Sequence, residues 1–332
     1  ADLIRAIALL TWPALVAPIV APLAGGIITT YFTWHWIFLI NVPLGIVAFF
    51  AALRIIPTEE RESPPRLDWL GLVLTCTGLG SLVYLGSLLA ERDPGMILTI
   101  GWAVVGFGLV GLAIAHQLRA PHPLLDLRAL RIETFRLSHA GGSLFRLTVN
   151  AVPFLLPLLF QDVFGYSPLL SGALVLFVFV GNLAIKPATT SLLRRFGFPA
   201  VIVAASAAAA LSMALMALLS SSTPLWVVIV LLTASGVARS TGFTAYNTIA
   251  FADVERVEMT DANTLASTLQ QLAAGFGVAV GAVALRLGDS FGSGSGAFGF
   301  AFAVLALLTA LATVEGLLLS KSAGENIRPA RG

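Results

Sequence analysis

The chain has 332 residues, of which 58% are hydrophobic and 11% charged, and its formal net charge is +2. A soluble domain carries about 25% charged residues, so this chain has too little charge to cover a water-facing surface. Its scattered basic residues form no patch for nucleic acid, and a single cysteine, Cys76, excludes an internal disulfide framework.

The apolar residues fall in blocks of about twenty, the length a helix needs to cross a hydrocarbon core of about 30 Å. The short alternating segments of a membrane β-barrel are absent. In chain order the blocks predict ten spans, at residues 7–30, 33–53, 69–90, 96–116, 137–160, 168–186, 198–219, 225–250, 262–286 and 297–319. The expected fold class is an all-α polytopic membrane protein with about ten transmembrane helices. Residue 1 is Ala and no signal peptide precedes the first span. The chain thus opens as if inside a longer protein.

The first span holds Pro18 and Pro22, followed by Gly25 and Gly26. Two prolines four apart remove two amide donors from one helix face, and the small residues beside them let another backbone approach. Two readings stand: a bent helix at a moving interface between two halves, or ordinary close packing. Trp34 and Trp36 then mark a span boundary suited to an interfacial belt, with His35 as an interfacial polar residue.

Two longer connections follow. Residues 54–68 are charged and proline-rich, and residues 117–136 are mixed, with room for a short interfacial helix. They bracket a pair of spans. The chain therefore divides into two helices over 1–56, an inserted pair with its flanking loops over 57–136, six helices over 137–320 and a tail at 321–332. Of the nineteen Lys and Arg, Arg92 and Arg286 fall on one set of alternate gaps, and Arg146 and Arg239 fall within spans. The rest lie on the opposite gaps and at the termini, which the positive-inside rule places in the cytoplasm.

Polar groups inside a bilayer are costly, and their presence marks candidate sites. Arg146 and Asn150 lie one turn apart on one face; Arg239 and Asn247 share the eighth span; Gln271 lies in a ninth span rich in Ser, Thr and Gln. These five are the candidates for a translocation path. The alternative is that the arginines pair with carbonyls or extend to the interface. No carboxylate sits clearly mid-membrane: Asp68, Glu91, Asp162 and Asp289 fall at ends or loops, and Asp253, Glu255, Glu258 and Asp261 cluster in one connection. Scattered histidines and the absence of HExxH, GxSxG or a phosphate-cradling loop give no metal site, no cofactor and little support for an enzyme acting on lipid-linked substrates.

The run APIVAPLAGGIITTYFTWHWIFLINVPLG (17–45) resembles the fifth and sixth helices of the 14-helix drug:proton antiporter branch of the major facilitator superfamily. Both prolines and Gly25-Gly26 match the antiporter motif of that branch. Ala17 and Ala21 stand where the motif has glycines, and His35 replaces its usual arginine. Residues 153–174, 186–198 and 262–281 resemble, in turn, the first hairpin, the basic cytoplasmic loop and the glycine-rich fifth helix of the second six-helix half. The resemblance implies a 6+2+6 architecture lacking its first four helices.

For function, the resemblance implies proton-coupled export of drugs or other lipophilic small molecules by alternating access in the inner (plasma) membrane. Pro18, Pro22, Gly25 and Gly26 would form the antiporter-motif helix, and Arg194, Arg195 and Gly197 the cytoplasmic loop motif. Partners would be the substrate, protons and the bilayer; accessory efflux proteins are left unspecified. The branch also carries an acidic residue in its first helices that this sequence lacks, so a non-transporting remnant is the competing reading.

Overall fold

The computed structural model describes residues 20–55, 67–91, 95–290, 292 and 294–318. Pro18, the first half of the 7–30 span, most of the 54–68 connection and the 321–332 tail lie outside the described residues. The described residues contain helices and no strand.

The helices are α1 (Val20–Tyr31), α2 (His35–Leu39), α3 (Asn41–Ile55), α4 (Trp69–Ala90), α5 (Met96–Gln117), α6 (Glu133–Leu158), α7 (Pro168–Ala184), α8 (Lys186–Phe196), α9 (Phe198–Met216), α10 (Leu225–Ala250), α11 (Met259–Asp289) and α12 (Ser295–Leu318). Among the described residues, eight spans are long and apolar enough to cross a membrane, or nine if α7 and α8, bent by 50°, form one broken span. Of the expected first span, the described residues show only the short apolar α1.

Local chemistry sets the breaks. Pro153 and Pro157 lie inside α6, which widens into a π turn at Leu159–Val163. Gly165 then turns the chain at φ 71, a region only glycine enters cheaply. Ser167 caps α7 by accepting from the Leu170 amide at 3.2 Å, with Pro168 in the first turn.

The 186–198 segment, expected as a loop, is instead the helix α8, ended by Gly197 at φ 82. Nothing in KPATTSLLRRF breaks a helix. Its Thr189 and Leu193, one turn apart, are buried, while Arg194 and Arg195 are exposed. In the 117–136 connection the expected interfacial helix is a 3-10 turn at Leu127–Arg131. Leu125, Leu127, Leu130 and Ile132 pack there on Phe135, Ala250, Val254 and Leu265. The connection is thereby tied to the ends of α6, α10 and α11.

One apolar core joins α6 to α12. Phe145, Leu155, Phe160, Ile202, Met213, Leu232, Phe302 and Leu305 are all fully excluded from solvent within it. α7 and α10 touch backbone to backbone: a Cβ on Gly181 would strike the Thr233 carbonyl, and one on Gly236 the Val178 carbonyl. Such contact supplies the dispersion that lipid-exposed helices need in place of a hydrophobic drive.

α4 and α5 pack along each other, and α4 rests on α11, where Arg286 donates to the Leu89 carbonyl at 2.5 Å. Asp68 clasps one end of this pair. It accepts from the Gly71 amide at 2.9 Å, His116 Nε2 at 2.9 Å and the Leu124 amide at 3.3 Å. In α2 and in the described side chains of α3, none is buried.

Candidate functional site

The five candidate path residues separate into a cluster of four and an outlier. Arg146 of α6 donates from Nη2 to Asn247 Oδ1 of α10 at 2.6 Å. Arg239 of α10 donates from Nη2 to Asn150 Oδ1 of α6 at 2.7 Å. Each helix gives one arginine and one asparagine, and the pairs run in opposite chain order, as antiparallel neighbours require. Gln271 lies exposed on α11 and belongs to neither pair.

Arg239 makes a second bond, from Nη1 to the Val149 carbonyl at 2.7 Å. That carbonyl is open because its helical donor would be the amide of residue 153, which is proline. The expected choice between a path role and carbonyl pairing is therefore not exclusive: Arg239 bonds a carbonyl that the sequence of α6 leaves free.

Aromatic rings fill the space between the pairs. The Phe243 ring lies under both guanidiniums, 5.9 Å from Arg146 Cζ and 5.3 Å from Arg239 Cζ, and the Tyr246 ring lies 5.9 Å from Arg146. A cation over a ring face is attracted by its quadrupole, by about 2 kcal/mol or more when desolvated. Gly142 gives Arg146 its room, since a Cβ there would come within 2.8 Å of Nη1 and 3.0 Å of the Tyr246 ring. Ser138 Oγ donates to the Tyr246 carbonyl at 2.6 Å and fastens the same stretch of α6 to α10.

Arg146 is wholly buried, whereas Asn150, Arg239, Phe243 and Asn247 are each partly exposed. The cluster therefore reaches the surface along one edge. Phe243, Tyr246, Gly142 and Pro153 are not among the sequence candidates. Signals for two of them were present: residues 239, 243 and 247 recur every four positions on one helix face, and Pro153 follows Val149 by four. Lys186, expected in a cytoplasmic gap, sits at the α7–α8 bend with Nζ donating to Thr244 Oγ1 at 3.3 Å.

The motif helix makes a second feature. Gly26 of α1 lies on the first turn of α7, where a Cβ would come within 2.8 Å of the Pro168 carbonyl. Reciprocally, a Cβ on Gly172 of α7 would strike the Pro22 carbonyl. A Cβ on Gly25 would meet nothing. Of the cytoplasmic motif, Arg194 and Arg195 form the last turn of α8, and Gly197 ends it.

Several antiparallel apolar spans around a polar, cationic cluster define a polytopic membrane bundle. The model of the Major Facilitator Superfamily matches residues 1–278, and the chain belongs to that superfamily, which is one of transporters and not of enzymes. HsrA of Haemophilus influenzae, a transport protein by name, is 31% identical over 86% of this chain. MdtD proteins of Pectobacterium atrosepticum and Escherichia coli, whose names assign them to multidrug resistance, are 29% and 31% identical over 84% and 87% of it. The chain spans 62%, 60% and 60% of the length of these three relatives.

Proposed function

We propose that the protein is a secondary active transporter that exports lipophilic small molecules in exchange for protons, by alternating access. The observation that carries this reading is the double Arg–Asn pair between α6 and α10. A buried guanidinium inside an apolar bundle is costly, and a transport path is a common reason to keep one. The α1–α7 crossing supports the same reading. Its contacts are small and backbone-to-backbone, so the two helices can shift against one another without unpacking large side chains. The relatives' names favour drugs as cargo, and the distribution of Lys and Arg favours an inner-membrane topology with both ends of this chain cytoplasmic.

The test is transport by the full-length protein, purified and reconstituted in liposomes with an imposed pH gradient. Substrate should move only while the gradient lasts, and Arg146→Gln or Arg239→Gln should slow it at least tenfold. Movement that is indifferent to the gradient removes proton coupling, and no movement across a broad substrate panel removes the transport reading.

A further inference from the structure

The charge of Arg146 and Arg239 is left uncancelled. Neither guanidinium forms an ion pair among the described residues; their side-chain partners are the amides of Asn247 and Asn150. An amide oxygen orients a guanidinium without neutralising it. The stretches of chain around the pair offer no carboxylate: residues 134–161, 163–252 and 262–288 contain no Asp or Glu, and the acidic residues of α6 and α11 stand at the helix ends. Donors also remain. Arg146 is fully buried, yet its Nε has no hydrogen-bond partner and its Nη1 reaches the Ser138 carbonyl only at 3.5 Å.

Burying unpaired charge is expensive unless something completes the site. The missing group is an anion, and the surroundings describe the rest of the ligand. Phe243 is a flat, partly exposed ring beneath both guanidiniums. A hydrophobic body bearing a carboxylate or sulfonate could stack on it and take charge-assisted bonds of about 2.7–2.9 Å from the partly exposed Arg239 guanidinium, with the buried charge of Arg146 close by. A cation in the same place would meet two like charges, which is discrimination by repulsion.

We infer that this pair is an anion subsite and that the protein moves amphipathic organic anions in preference to lipophilic cations. The inference rests on the transport reading above.

Two probes of equal ring size test it: 1-naphthalenesulfonate and (1-naphthyl)trimethylammonium. The full-length protein is reconstituted in phosphatidylcholine liposomes, so that no anionic lipid headgroup can occupy the site, and uptake is driven by a pH gradient. The sulfonate should move at least tenfold faster than the ammonium ion. Asn150→Asp and Asn247→Asp retain an acceptor of nearly the same shape while neutralising the guanidinium. Each should cut sulfonate movement at least tenfold and raise that of the ammonium ion, with an unchanged gel-filtration profile.

Three outcomes would overturn the inference. Preference for the ammonium ion is one. Equal movement of both ions, as expected if a carboxylate from outside the described helices pairs with the arginines, is another. Asn→Asp variants that move sulfonate like the parent are the third. All three leave the transport reading standing. Liposomes that move neither probe nor any of the broader substrate panel overturn the transport reading and the inference together.

Discussion

The Val149 carbonyl has no helical donor because Pro153 lacks an amide hydrogen, and Arg239 reaches across from α10 to supply one. The proline and the arginine are coupled through that oxygen. Arg239→Gln should leave it unsatisfied, along with part of the Asn150 side chain. The general cost of stranding such a group is about 1–3 kcal/mol, and the low end applies here, since interhelical hydrogen bonds in membranes average about 0.6 kcal/mol. Pro153→Ala restores the amide donor. In the Arg239→Gln background it should therefore recover part of the lost thermal stability in detergent. Two effects that simply add in a double-mutant cycle would show the coupling to be absent. On the same helix, Gly142→Leu should displace both Arg146 and Tyr246 and lower the melting temperature.

At the scale of elements, two contacts make separate predictions. Where α1 crosses α7, Gly172 faces the Pro22 carbonyl. Gly172→Leu should force the helices apart and reduce transport at least tenfold while the melting temperature holds, since the nearest atoms its Cβ would meet all belong to α1. Equal losses of stability and transport would mean that the contact only holds the fold together.

The second contact is the Asp68 clasp of α4 and α5. The Gly71 amide above all, then His116 and the Leu124 amide, hold the Asp68 carboxyl below its ordinary value of 3.8, against partial burial, which pushes it up. A depressed carboxyl contributes stability that is fully present above its ordinary value and is lost as pH falls through the lower, folded one. The α4–α5 pair should thus loosen below pH 4. Amide exchange of Leu124 reads this directly. Asp68→Asn should make that exchange fast at neutral pH and flatten its response to acid.

For the whole molecule, orientation is the quantity to test. With Cys76 replaced by serine, single cysteines placed at Arg119 and Ser290 should report opposite sides. An impermeant maleimide added to intact cells should label position 290 and spare 119, and inverted vesicles should reverse the result. Labelling of both positions from one side would contradict the topology read from the basic residues.

The spans were legible in the sequence because a bilayer imposes a one-dimensional demand. A segment must be apolar for about twenty residues and bond its backbone internally. Hydropathy along the chain answers that, and residues 96–116 needed nothing more. Arg146, Asn150, Arg239 and Asn247 were legible as candidates for the same reason, since each is polar where polarity is costly. Their pairing was not. Lipid is as apolar as the bundle interior, so hydrophobic patterning does not state which face of a membrane helix turns inward. That Arg146 meets Asn247, that Arg239 takes the carbonyl freed by Pro153, that Gly26 lies against α7 and that Gln271 stands apart follow from helix rotation and crossing. Those are set by the packing of residues far apart in the chain.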